Sequence, residues 1–161
     1  MYLIPFFQIF PEQGERETRT ITAHGYPGLP PDEYALMEAY CADPECDCRR
    51  VMINVVGRRQ MQRGYLASIS YAFDREAEYA GPDLDPMNPQ SEYAPILFGL
   101  VVELVLSQPD YVARLESHYA QVKRAASDPK HPQHRRLKRI VKGSDSRPYR
   151  RIKSRPRRRK R

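Results

Sequence analysis

Tryptophan is missing altogether from this 161-residue chain, and its three cysteines are confined to one stretch between positions 41 and 48. An odd, clustered set does not make a disulfide framework. It fits a reducing compartment, and the expected location is the cytoplasm. No secretory leader is expected either. Met1 to Phe10 is apolar, but it carries no basic residue and Pro5 interrupts it. Pro11-Glu12-Gln13-Gly14-Glu15 then follows in place of a small-residue cleavage site. The longest apolar run, Ala94 to Val102, stops at Glu103, well short of the ~20 residues that cross a bilayer. Ser91 and Ser107 have no His or Asp at a recognisable elbow spacing, so a hydrolase triad has no support. What is there, at 40% hydrophobic with 15 prolines, suffices for one core and excludes collagen, coiled-coil and polytopic membrane classes.

The formal net charge of +7 conceals two opposite parts. Residues 123–161 hold 18 Lys or Arg against Asp128 and Asp145, a balance of +16. Residues 1–122 hold 9 basic against 18 acidic residues, a balance of −9. Charge asymmetry of this kind points to an arm for nucleic acid or a membrane surface. Beyond Ala126 only Leu137, Ile140, Val141, Tyr149 and Ile152 could pack, and four prolines punctuate the segment. The expected organisation is therefore a compact acidic domain over 1–122 and a disordered basic tail over 123–161, with a short helix around 133–142.

Within the body, the β-branched run 17–24 predicts a strand, and Gly25, Pro27, Gly28, Pro30 and Pro31 predict a rigid loop after it. Over 33–41, Ala, Leu, Met and Glu favour helix. The alternation of Tyr34, Leu36, Glu38 and Tyr40 with Ala35, Met37 and Ala39, followed at once by a turn, predicts a strand instead. Val51, Ile53 and Val55 share one face of a strand over 49–56. Tyr65, Ala67, Ile69, Tyr71 and Phe73 share one face of the next, giving an antiparallel meander. Residues 80–90 read as loop. A helix is expected over 92–106 with Ile96, Leu97, Leu100, Val101 and Leu104 inward. A second begins at Ser107-Gln108-Pro109-Asp110, with Ser107 as cap and Tyr111, Leu115, Tyr119 and Val122 on one face. The fold class is α+β: a small antiparallel β-meander with two C-terminal helices, then the tail.

The cysteines lie in Cys41-Ala42-Asp43-Pro44-Glu45-Cys46-Asp47-Cys48, between two expected strands. Asp-Pro initiates a turn, which brings Cys41 back towards Cys46 and Cys48. Three converging thiolates suit zinc, and a tetrahedral structural site needs one more ligand. His24, at the end of the first strand, is the first candidate. His118 and the carboxylates of Asp43 and Asp47 are the others. The positive charge of Arg49 and Arg50 would help keep the thiols ionised. Reduced half-buried thiols, or a Cys41–Cys46 disulfide with Cys48 free, remain open as alternatives.

The segment from Tyr40 to Val51, Tyr-Cys-Ala-Asp-Pro-Glu-Cys-Asp-Cys-Arg-Arg-Val, resembles the signature stretch of a family of uncharacterised bacterial proteins. The likeness extends over roughly 18–122. It includes the stretches from His24 to Pro30 and from Asp83 to Ser91, and the pair His118-Tyr119. The resemblance implies one compact body with an appendage. It implies no activity and no catalytic residues.

The function expected is a non-enzymatic, zinc-stabilised module that binds nucleic acid through Arg135, Arg136, Lys138, Arg139, Arg150, Arg151, Arg157, Arg158, Arg159, Lys160 and Arg161. RNA is favoured over DNA because flexible arginine-rich arms order on RNA. No membrane partner is expected, since no hydrophobic anchor accompanies the charge. Two alternatives stand beside it. A metal-dependent nuclease or other hydrolase would use Asp74, Asp83 and Asp85, with Glu76, around Mg²⁺ or Ca²⁺. A protein-interaction adaptor would use the body as a partner surface and the tail as a non-specific tether. Tyr26, Tyr34, Tyr40, Tyr65 and Tyr71 could line a sheet face on which bases stack, although such residues are more often core. His131 and His134 read as solvated.

Overall fold

The structure, a computed structural model, describes residues 3–77 and 79–143. Six strands form one antiparallel sheet: β1 (Leu3–Pro5), β2 (Arg19–Ala23), β3 (Asp32–Cys41), β4 (Arg50–Gly57), β5 (Ala67–Ala72) and β6 (Gly81–Leu84). Five helices accompany it: α1 (Phe6–Ile9), α2 (Pro11–Glu17), α3 (Ala94–Val101), α4 (Pro109–Ser127) and α5 (His134–Val141). The fold is α+β, as the change of hydrophobic period indicates.

The ten-residue β3 organises the sheet, with β4, β5 and β6 following in order on one side. Its other edge is shared. β1 pairs with the end of β3, Leu3 opposite Cys41 and Pro5 opposite Ala39. β2 pairs with its beginning, Arg19 opposite Leu36 and Ala23 opposite Asp32. Between them the chain leaves the edge as α1 and α2 and returns, passing the unpaired positions Met37 and Glu38. Nothing in the local sequence marks β1 or this excursion. A three-residue strand is too short to show a period. β6 likewise read as loop, because Pro82 and Asp83 look like turn residues; at a sheet edge proline is tolerated.

Alternation holds along the central strands. Tyr34, Leu36 and Tyr40 of β3 point to the same side as Val51, Ile53 and Val55 of β4 and Ile69 of β5, and all are essentially buried. The helices cover this face. Leu97, Val101, Leu115 and Val122 complete the core.

Two expectations about the helices fail for one physical reason each. Leu104 is 45% exposed while Val105 is buried. After α3 the helix widens into a π turn, Val102–Leu106. One extra residue per turn rotates the following side chains off the 3.6-residue stripe. Ser107 does not cap α4: its hydroxyl donates to the Glu103 carbonyl at 2.6 Å and closes the preceding turn.

The boundary at 122 also moves. α4 runs on to Ser127, and Ala125 and Ala126 are buried. After a short turn, α5 places Leu137 and Ile140 in the core. The described fold therefore continues to Gly143. The chain up to that point holds 17 basic and 19 acidic residues, close to balance, so the body is less acidic than a cut at 122 suggests. No single helix among the described residues is long and apolar enough to cross a membrane.

Candidate metal centre

Cys41 is the last residue of β3 and is fully buried. The connector then folds as the sequence dictates. Asp43 Oδ1 accepts the Glu45 backbone N–H at 3.0 Å, an Asx turn, and the Cys46 N–H donates to the Asp43 carbonyl at 3.3 Å. Arg49 takes a left-handed conformation, φ 42°, which redirects the chain into β4. The outcome is convergence: the sulfurs of Cys41, Cys46 and Cys48 all lie within 4.8 Å of one another. All three are free thiols, Cys46 and Cys48 half-buried. Zn–S bonds of about 2.3 Å set tetrahedral ligand sulfurs about 3.8 Å apart, so the donor set needs a contraction of about 1 Å at most to close on an ion.

α4 fastens this turn from outside. The Lys123 ammonium donates to the carbonyls of Asp43, at 2.7 Å, and Cys46, and lies over the Tyr119 ring. The Tyr119 hydroxyl accepts the Arg49 N–H at 3.3 Å. The Cys46 thiol lies below its ordinary pKa because the Cys48 backbone N–H bonds to it. Contacts with Cys48 and Cys41 and the Lys123 charge add to this, against the effect of burial. Cys48 is pushed up to about 11 by burial first and by its two sulfur neighbours after that. Three thiolates at this spacing repel one another, and a bound cation removes the conflict.

Histidine is not part of this centre. The connector from β2 to β3 is short, so antiparallel pairing sets Ala23 opposite Asp32, and exposed His24 sits just beyond. Cys41 ends the same strand nine residues further on, about 30 Å away at 3.3 Å per residue. The expectation that His24 is the fourth ligand is corrected accordingly. His131 Nδ1 accepts the Gln133 N–H, and His134 Nδ1 lies 2.8 Å from the Ala125 carbonyl, both at the α4–α5 turn rather than in open solvent.

His118 is neither a ligand here nor a surface residue. It is 2% exposed and bridges two carboxylates. Nδ1 lies 2.6 Å from Glu38 Oε2 and Nε2 lies 2.7 Å from Glu17 Oε2. The Phe6 ring stacks on the imidazole at 4.0 Å. Glu38 stands on the core face of β3, where the Tyr40 hydroxyl also donates to it at 2.8 Å. Burial disfavours charge on Glu17. Hydrogen bonds from His118 and Gln13, with the charges of His118 and Arg114, outweigh that and hold its pKa below the usual carboxylate value. Tyr40 is raised well above its ordinary value by burial and by the Glu38 charge. The signal for this cluster was in the alternation itself: Glu38 occupies an inward position between Leu36 and Tyr40, and a buried carboxylate requires a partner.

The remaining expected residues are dispersed. Asp74 pairs with Arg49 at 2.8 Å. Asp83 is exposed on β6, opposite Ser70. Asp85 accepts the Asn88 side-chain amide and the Met87 N–H in a turn. Among the described residues the three cysteines are the one group of metal-type donors that converges. Tyr34 and Tyr40 are buried, whereas Tyr26 and Tyr65 are 43% and 48% exposed, so the tyrosines do not make one open platform. In α5, Arg135, Lys138 and Arg139 are exposed, and Arg136 donates to the Gln8 carbonyl. Arg150, Arg151, Arg157, Arg158, Arg159, Lys160 and Arg161 lie outside the described residues. No family model, no curated protein and no solved structure matches this chain.

Proposed function

We propose that this chain is a non-enzymatic module in which zinc, held by Cys41, Cys46 and Cys48, fixes the β3–β4 turn, and in which the basic C-terminal part binds nucleic acid, RNA in preference to DNA. The observation that carries the metal reading is the meeting of three sulfurs within 4.8 Å at one end of the sheet. Soft thiolates select zinc over the oxygen-loving divalent ions, and an ion at this turn would tie β3 to β4. Such a site works with reduced thiols, which supports a cytoplasmic setting.

Charge supports the second half. Residues 123–143 carry eight Lys or Arg against Asp128, and residues 144–161 carry ten more against Asp145. Each cation that neutralises a phosphate releases counterions, so binding should be salt-steep and nearly blind to base sequence. Lysine and arginine at this density need no base-reading groove.

Native mass spectrometry with metal analysis tests the first half. One zinc per chain, lost on Cys46→Ser, is the expected result; a metal-free chain after reducing purification removes the reading. Fluorescence anisotropy with a labelled single-stranded RNA, and DNA of the same sequence, tests the second. Affinity should fall steeply with salt, and the slope should flatten when 144–161 is deleted. Unchanged affinity after that deletion, combined with neutralisation of Arg135, Lys138 and Arg139, would falsify the nucleic-acid role and leave the adaptor reading.

A further inference from the structure

Three sulfurs leave one position of a tetrahedral ion to be filled. Each histidine of the chain is placed elsewhere. His24 is at the opposite end of β3, His118 has both nitrogens on carboxylates, and His131 and His134 serve the α4–α5 turn. Outside the described residues the sequence holds no His and no Cys. Asp43 holds the Glu45 N–H on Oδ1, and no carboxylate oxygen of the described residues joins the three sulfurs within 4.8 Å. The side chains that α4 presents to the turn are an ammonium, Lys123, and a phenol, Tyr119, and neither is a zinc donor in this state. Cys46 and Cys48 are half-buried and Asp47 is exposed, so the cluster reaches solvent on its outer side.

Resting on the zinc reading, we infer that this is a three-sulfur site whose fourth position is filled from solution, and that it takes thiophilic ions satisfied by three sulfurs, trivalent arsenic being the diagnostic case. Three sulfurs gathered at one turn, with an open outer side, match a pyramidal ion that needs donors on one side only. The exchange is balanced without redox chemistry. Arsenous acid gives up three hydroxides, which leave as water with three protons from the buffer, the zinc-bound thiolates carrying none. Three As–S bonds form, arsenic stays trivalent, and zinc departs hydrated with its outer ligand. A zinc closed by four protein donors would exchange far more reluctantly. An open position also leaves the ion accessible to competing ligands, so the site reads as a point of metal exchange as well as a staple.

The test uses the full zinc-loaded chain under reducing, anaerobic conditions, titrated with arsenite and followed by native mass spectrometry. One arsenic per chain, at a mass three protons below the sum of the metal-free chain and arsenic, with stoichiometric zinc release, is expected. A second arm replaces zinc by cobalt and adds imidazole, whose entry into an open position shifts the d–d absorption bands. A third arm measures zinc affinity of Asp47→Asn and His24→Ala, expected unchanged. If zinc binds but arsenite leaves it in place and imidazole moves no band, the open-position inference is wrong while the zinc reading stands. Loss of zinc affinity in Asp47→Asn also overturns it, by naming a fourth protein ligand. If the wild-type chain takes up neither zinc, cobalt nor arsenite, both readings fall together.

Discussion

Glu38 on β3 and His118 on α4, eighty residues apart in the chain, meet at 2.6 Å inside the core. The contact joins sheet to helix, and the second ring nitrogen extends it to Glu17 at the end of α2. A neutral imidazole has one N–H, so hydrogen bonds to both carboxylates require a further proton within the trio. The cluster is thus a single unit, and removing one member strands the others.

Glu38→Leu and His118→Phe should each destabilise the fold by about 3–5 kcal/mol, the range for breaking one side of a buried ion pair. The double variant should lose less than the sum, because Glu38 and His118 no longer strand each other; only Glu17 is left without its imidazole, and at 27% side-chain exposure it can turn to solvent. Denaturant unfolding of the four chains measures this. Additive losses would show that the two side chains do not act together.

Glu17 gives the cluster a pH signature. Its folded pKa lies below the unfolded value of about 4.3. Its stabilising contribution is therefore present above that unfolded value and is lost as pH falls through the folded one. The stability gap between wild type and Glu17→Gln should be open at neutral pH and close in acid. A gap that widens on acidification contradicts the assignment.

Lys123→Met keeps the aliphatic packing but removes the ammonium that holds the Asp43 and Cys46 carbonyls. Outer contacts that orient ligands are worth about 10–100-fold in metal affinity, and a loss of that order is expected in a chelator competition. The circular dichroism spectrum should be unchanged.

Leu137→Ala should cost about 2–5 kcal/mol, since the side chain is 2% exposed in the core. A chain ended at Gly143 should melt like the full chain, whereas one ended at Val122 should not fold cooperatively. Thermal unfolding separates these outcomes.

Much of the sheet was legible because burial imposes a period of two. Val51, Ile53 and Val55 announced β4, and the Asp43-Pro44 turn announced where the thiols would gather. What escaped was decided by distant partners. Leu137 and Ile140 look like scattered apolar residues in a basic segment until the rest of the core is set around them. His24 looks like a neighbour of Cys41 until the short connector fixes which end of β3 it faces. Glu38 reads as one more surface acid until the alternation around it is taken literally. Leu104 fits a regular helix, and no local feature of 94–106 foretells the wider turn.

The divided margin of β3 carries a consequence for solubility. Because β1 and β2 lie in line along it, with α1 and α2 bridging the interval, only Met37 and Glu38 lack a strand neighbour there. The free margin is the outer edge of β1 and β2, only three and five residues long and interrupted by the helices, so a foreign strand finds no continuous ladder to zip onto. Across the sheet β6 is four residues long and carries Pro82 and Asp83, which discourage recruitment at that margin too. A small sheet with both flanks guarded in this way should stay monodisperse at concentrations where an open-sided one would begin to form fibrils.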